Sequence, residues 1–256
     1  MNRALSLSVV SPAYNEEAAL AATLEEWATY LSEHKEIDDW EIVVCDDGSS
    51  DATPAVLSVW ASRYPQLTVV THDHNRGAGV AIATAIAASR LDWVAIIDSD
   101  GQFPIANLDR FFPLMHRGSA DALSGWRTKK ADTLFLRLGS WSSGAVANFL
   151  HRTHYHDYNS IFKVARGPLL RSLRLESRGM NCSTELTARL GEIGAVWHEI
   201  PIEHRPRPSG TRGWRVWKGA RDRALFVGYL GYRRLLLKLG VLRSTSLRQE
   251  DERVAR

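Results

Sequence analysis

Apolar positions over the first hundred residues follow two spacings in turn. Short continuous runs, the first being Leu5-Ser6-Leu7-Ser8-Val9-Val10, read as strands, and the stretches between them repeat apolar residues at helical intervals. The first strand ends at Ser11-Pro12. Asn15 stands where an N-cap is expected, and Glu16 and Glu17 suit the first turn of a helix carrying Leu20, Leu24, Trp27 and Leu31 on one face. The same reading gives strands at 41–45 and 67–71, helices at 53–64 and 80–89, and a strand opening at Trp93. Past Gln102 the pattern loosens. It gives a helix at 108–116, a strand at 120–124 running into Gly125-Trp126-Arg127, and a long helix at 133–150. A strand at 161–165, a helix at 183–190 and a strand at 195–201 follow. Residues 205–213 form an aperiodic loop, 214–242 return to helical spacing, and 244–256 are a charged tail expected to be disordered.

Strand and helix alternating with short connections predict an α/β fold, a mainly parallel sheet with helices on both faces. Such sheets bind ligands beyond the carboxyl ends of their strands. Here those ends carry Pro12-Ala13-Tyr14, Asp46-Asp47-Gly48, Asn75-Arg76-Gly77 and Asp98-Ser99-Asp100, so four polar loops are expected to meet in one crevice.

Asp98 and Asp100 are two residues apart, which on a strand sends both side chains the same way. Two acids on one target repel unless a cation lies between them. A hard divalent ion, Mg2+ or Mn2+, suits such a pair and also takes phosphate oxygens, with Gln102 placed to add a third ligand. A solvated turn is the bland alternative, since Asp, Ser and Gly are turn formers.

Composition is that of an ordinary soluble domain, but the charge of +3 is unevenly spread. From Arg205 to Arg243 the only acid is Asp222, among many arginines and lysines interleaved with Trp214, Trp217, Tyr229 and Tyr232. A basic, aromatic helix of this kind suits an anionic membrane surface, and a helix packed on the core with a solvated basic face is the competing reading. No recognisable nucleic-acid module accompanies the basic residues, so no nucleic acid is expected. Cys45 and Cys182 are the only cysteines and read as reduced thiols of a cytoplasmic protein. The N-terminal apolar run is too short for a signal peptide, and no stretch of about 18 apolar residues predicts a membrane span. His151, His154 and His156 fit no common zinc template and read as a polar loop.

Several segments in order resemble the family 2 glycosyltransferases of the GT-A fold. They are Ser11-Pro12-Ala13-Tyr14-Asn15-Glu16, Val43-Val44-Cys45-Asp46-Asp47-Gly48-Ser49-Ser50-Asp51, Asn75-Arg76-Gly77 and Asp98-Ser99-Asp100-Gly101-Gln102. Gly125-Trp126-Arg127, Asp157 ahead of Asn159-Ser160-Ile161-Phe162-Lys163, Glu185, and Glu199-Ile200-Pro201-Ile202 before Arg205 and Arg207 are most similar to the dolichol- or polyprenol-phosphate sugar transferase branch. The resemblance covers roughly residues 6–213. It departs from the branch at the lid, Arg207-Pro208-Ser209-Gly210-Thr211-Arg212, which lacks a Ser-Lys, and at Lys163, which stands where an Arg is usual.

Beyond residue 213 the spacing and charge give a basic amphipathic helical appendage over 214–243 and a disordered tail over 244–256, and the resemblance implies a GT-A domain over 1–213. It implies that Pro12, Tyr14, Glu16, Val44, Asp46, Arg76 and Ser99 frame the nucleotide of a nucleoside diphosphate sugar. Asp98, Asp100 and Gln102 would hold Mg2+ or Mn2+ on the diphosphate, with Arg127, Arg207 and Arg212 as further cations. The implied reaction inverts the anomeric centre and delivers the sugar to a polyprenyl phosphate, peripherally at the cytoplasmic membrane face. A hydroxyl acceptor on a glycolipid or polysaccharide would need a general base, for which Asp157 and Glu185 are the candidates. A catalytically silent nucleotide- and membrane-binding partner is the alternative of another class.

Overall fold

The structure is a computed structural model that describes residues 4–128, 148, 155–179, 181–206 and 216–241. The long helix expected at 133–150 and the loop carrying Arg207 and Arg212 fall outside these residues, apart from Asn148.

Seven strands form one sheet among the described residues: β1 (Leu5–Ala13), β2 (Ile37–Asp46), β3 (Leu67–Thr71), β4 (Trp93–Ile96), β5 (Ala122–Arg127), β6 (Lys163–Arg166) and β7 (Trp197–Ile202). Their order across the sheet is β3-β2-β1-β4-β6-β5-β7. β1 lies in parallel register with β2 and β4, and β2 with β3, as the βαβ pattern requires. β6 runs antiparallel to both β4 and β5, the one reversal in the sheet.

Burial explains why the strands read as unbroken apolar runs. Leu7, Val9, Val10, Val43 and Val44 are fully buried, because helices cover both faces and alternation is unnecessary. Helix α1 (Glu17–Glu33) buries Leu20, Leu24, Trp27 and Leu31, the stripe its spacing predicts. Helices α2 (Thr53–Arg63) and α3 (Ala78–Ala88) complete the N-terminal half, and α4 (Phe112–Arg117), α5 (Gly167–Ser172), α6 (Cys182–Glu192) and α7 (Val216–Lys238) follow.

Four local expectations are corrected. Glu16, not Asn15, occupies the N-cap position of α1. Asn15 sits at φ 55°, and its Oδ1 accepts from Ser50 N across the crevice mouth at 2.8 Å. The helix expected at 108–116 is a 3-10 segment, Ile105–Arg110, followed by α4, with Pro113 just inside the start of α4 where its missing N–H costs nothing. Helix α5 follows β6 directly where no helix was expected. Strand β2 begins four residues earlier than its apolar stretch, because Leu5 and Ser6 of β1 pair with Ile37 and Asp39.

A buried carboxylate locks the end of the sheet away from the crevice. Glu41, 2% exposed, accepts from Ser8 Oγ at 2.7 Å, Arg90 N at 2.6 Å and Arg90 Nε at 3.0 Å. It ties β1, β2 and the entry to β4 together, and its satisfied oxygens explain why a Glu is tolerated in a core strand.

In the second half, Phe162 is fully buried with its ring centroid 5.8 Å from Phe103 and 5.4 Å from Phe111. Replacing Phe162 with Ala removes the centre of this cluster and is expected to cost about 3–5 kcal/mol, read as a lower urea midpoint at unchanged m-value.

Candidate active site

The parallel register of β1, β2 and β4 brings their carboxyl ends to one edge, where Ala13 pairs with Asp46 and Ile97 N donates to Val10 O at 3.1 Å. Side-chain bonds then join the loops. Ser99 Oγ donates to Pro12 O at 2.8 Å, Glu16 N donates to Thr53 Oγ1 at 2.9 Å, and Ala52 N donates to Glu17 Oε2 at 2.7 Å. With Asp47 accepting from Arg76 N and Gly77 N, the four predicted loops lie together at this edge.

Asp46 and Asp47 are adjacent, each 1% exposed, and do different work. Asp46 Oδ1 accepts from Ser49 N at 3.1 Å, while its Oδ2 is buried and finds no hydrogen-bond partner among the described residues. Asp47 is saturated by the loop beside it. Its Oδ1 accepts from His72 Nδ1 at 2.7 Å and Arg76 N at 2.9 Å, and its Oδ2 from Gly77 N at 2.8 Å. His72 in turn faces Thr84 Oγ1 at 3.0 Å through Nε2, which fixes the ring between β3 and α3. Beside it, burial, with Asp47 and Asp46 adding to it, pushes the Cys45 thiol up to about 12, so this cysteine is a protonated core residue.

The loop is braced from the far side as well. A Cβ on Gly77 would lie 2.1 Å from Arg178 O and one on Gly79 2.0 Å from Ser177 O, and Gly77 sits at φ +100°. Only glycine lets segment 176–179 approach so closely. That segment is held by Glu185, which is fully buried. Its carboxylate accepts from Glu176 N and from Ser177 N at 2.7 Å, and it pairs with Arg189 Nη2 at 3.1 Å. These contacts engage Glu185 as a buried ion-pair partner.

Asp98 and Asp100 follow β4 and are partly exposed. Asp100 Oδ1 accepts from Gln102 N at 3.0 Å, and Gly101 takes a φ of 73° to complete the turn. Gln102 is fastened to the chain entering 207–212: its Nε2 donates to Arg205 O at 3.2 Å and its backbone O accepts from Arg205 N at 2.8 Å. Among the described residues no group of three or more His, Cys, Asp or Glu gathers around one point. Two carboxylates and an amide oxygen would suit a hard ion completing its shell with phosphate and water better than zinc.

Across the crevice, Arg127 ends β5 and grips Asp157 with two bonds, Nε to Oδ2 at 2.7 Å and Nη2 to Oδ1 at 3.1 Å. Glu199 of β7 holds the loop bearing Asp157, accepting from His156 N, His156 Nδ1 at 2.9 Å and Asp157 N at 3.2 Å. Trp126 stacks on His156 at 4.9 Å. Of the remaining nucleotide candidates, Tyr14 is 45% exposed, the Arg76 side chain is exposed, and Val44 is wholly buried and packs in the core instead of on the crevice surface. His72 and Gly79 were not singled out in the sequence. The only signal for His72 was its place one residue beyond a predicted strand end.

The family model for glycosyl transferase family 2 matches residues 8–171. The chain is 31% identical over 210 residues to a dolichyl-phosphate hexose transferase of Haloferax volcanii, covering 80% of this chain and 86% of that protein. It is 29% identical over 204 residues to a dodecaprenyl-phosphate galacturonate synthase of Rhizobium johnstonii, covering 77% of this chain and 60% of that protein's length. Among solved structures, mannosyl-3-phosphoglycerate synthase from Rubrobacter xylanophilus superposes with a TM-score of 0.69 at 17% identity, over 94% of this chain and 77% of that one. Glucosyl-3-phosphoglycerate synthase from Mycobacterium tuberculosis, in complex with Mn2+, uridine diphosphate and phosphoglyceric acid, gives 0.62 at 21% identity, over 80% and 72%. At these identities the likeness establishes the fold, GT-A.

Glu185→Gln removes one of three carboxylates around Arg189, leaving Glu176 at 2.9 Å and Glu192 at 3.6 Å, and weakens the hold on the backbone of segment 176–179. It is expected to lower stability by about 1–3 kcal/mol in chemical denaturation.

Proposed function

Because the chain belongs to glycosyl transferase family 2, we propose that it moves a sugar, with inversion, from a nucleoside diphosphate donor to a polyprenyl phosphate at a membrane surface. One observation carries the choice of acceptor. The two carboxylates that could serve a hydroxyl as general base are both committed, Asp157 to Arg127 and Glu185 to Arg189. A phosphate acceptor is already ionised and needs no base.

On this reading the nucleotide lies against Pro12, Tyr14, Glu16, Asp46, Arg76 and Ser99, and the orphaned Asp46 Oδ2 is the natural acceptor for an N–H of the base. Asp98, Asp100 and Gln102 hold Mg2+ or Mn2+, which when bound neutralises charge on the departing diphosphate. Arg127, its plane fixed by Asp157, orients the acceptor phosphate, whose oxygen attacks the anomeric carbon as the bond to the donor diphosphate breaks. Arg207 and Arg212 are assigned to the diphosphate as well. Asp100→Ala is expected to abolish transfer to a short polyprenyl phosphate while the melting temperature stays within a few degrees of wild type. Product formed only on sugar hydroxyls would replace the acceptor in this reading. Binding of nucleotide sugars without turnover of any of them would favour the silent partner.

The peripheral contact proposed with an anionic, cytoplasmic membrane face rests on α7. Leu230 of this helix is fully buried and Arg233 Nε donates to Glu192 Oε2 at 3.2 Å, which set its inner face. Leu225, Tyr232, Leu235 and Leu239 lie more than half exposed on another side, beyond which come Arg234 and Lys238. No helix among the described residues is long and apolar enough to cross a membrane. An apolar stripe edged with cations suits an interfacial helix. Leu235→Glu with Leu239→Glu is expected to abolish co-sedimentation with phosphatidylglycerol-rich vesicles and to spare nucleotide binding.

A further inference from the structure

Lys163 opens β6 with its ammonium sealed inside the protein at 2% exposure. Its Nζ donates to Ser124 Oγ at 3.1 Å and lies 5.4 Å from the Trp197 ring centroid. The register Ile96–Lys163–Ser124 puts it on the strand between β4 and β5, at the seam between the Asp98–Asp100 turn and Arg127. The charged and titratable groups facing it come from four elements: Asp157 before β6, Glu199 on β7, Cys182 at the start of α6 and Arg127 at the end of β5.

Charge counting gives this residue a role beyond packing. Asp157 and Glu199 are two carboxylates against the single guanidinium of Arg127, and they are linked through the 156–157 backbone and the Arg127 fork. Without another cation the cluster is negative where an anionic acceptor must bind. With Lys163 protonated and His156, whose Nδ1 lies 2.9 Å from Glu199 Oε2, neutral, it carries no net charge.

We propose that Lys163 is a positioning residue whose buried ammonium balances the Arg127–Asp157–Glu199 cluster and so keeps the acceptor side of the crevice receptive to a phosphate. The inference rests on the acceptor reading above and adds a pH dependence to it. Burial pushes the ammonium down to about 8 from its ordinary 10.5, against the pull of Asp157 and Glu199. Stability and binding then respond to pH in opposite directions. From about pH 8 upward the folded chain has released a proton that the unfolded chain still holds, so folding gains stability as pH rises. Over the same range the cluster turns negative and phosphate affinity falls. A residue that only packs would raise stability with pH and leave affinity alone.

The test is calorimetric titration of farnesyl phosphate into the full chain at pH 7 and pH 9, with a thermal melt at each pH. The wild type is expected to bind about fivefold more weakly at pH 9, the scale of one unit charge at modest effective dielectric. Lys163→Arg keeps its charge throughout and is expected to lose that pH dependence. Lys163→Met is expected to bind weakly at both values and to melt no lower than wild type. The same pH dependence in Lys163→Arg, or full affinity at pH 7 in Lys163→Met, overturns the proposal. If the Arg variant fails to fold, the Met variant at pH 7 decides. A wild type that binds no polyprenyl phosphate at either pH brings down the acceptor reading and this inference with it, whereas retained binding with unchanged pH dependence brings down only the role of Lys163.

Discussion

Parallel pairing of β1 with both β2 and β4 is the constraint from which the crevice follows. A chain that pairs strands in parallel must cross the sheet between them, so each strand leaves its loop on the same edge. Glu41 fixes that arrangement from the opposite end, where Ser8 Oγ and the backbone and side chain of Arg90 meet its carboxylate. Because the far end is pinned, the near end can be built from polar loops that would otherwise have no reason to stay together.

Carboxylates at this edge divide by what surrounds them. Asp47, Glu185 and Glu199 each accept from backbone N–H groups of neighbouring segments, and each of those segments borders the crevice. They act as buried anchors whose ligands are parts of the protein. Asp98 and Asp100 lie on a partly exposed turn with a glycine at positive φ, which suits a pair meant to meet something from outside. Bonds to the backbone of neighbouring segments, not residue type, mark the first three as anchors.

The distinction marks how far the sequence could be read. Strand and helix order in the first hundred residues was legible because both spacings are strong there, and β3 was placed to the residue. The convergence of four loops followed from topology alone. What the sequence did not disclose were relationships spanning long separations: Glu185 bracing Gly77 and Gly79 through segment 176–179, or His72 reaching back to Asp47. Glu185 reads as a candidate base until its partners are seen. The reversal of β6 was equally hidden, since a four-residue strand carries no mark of its direction, and Pro113 did not reveal that it starts a new helix after a 3-10 segment.

That reversal matters for the chemistry. By running antiparallel between β4 and β5, β6 presents its first residue, Lys163, at the level where β4 ends, one strand from Ile96 and one from Ser124. A parallel strand in the same slot would start at the opposite edge and bring its last residue to the crevice instead. The sheet thus joins an acid-bearing half, β1 to β4, to a half whose basic groups, Arg127 and Lys163, offset Asp157 and Glu199. Under the proposed reaction, a donor diphosphate bound with a cation and an acceptor phosphate bound without one would ask for that division: carboxylates where the metal ion would sit, and no net negative charge where the second anion would approach.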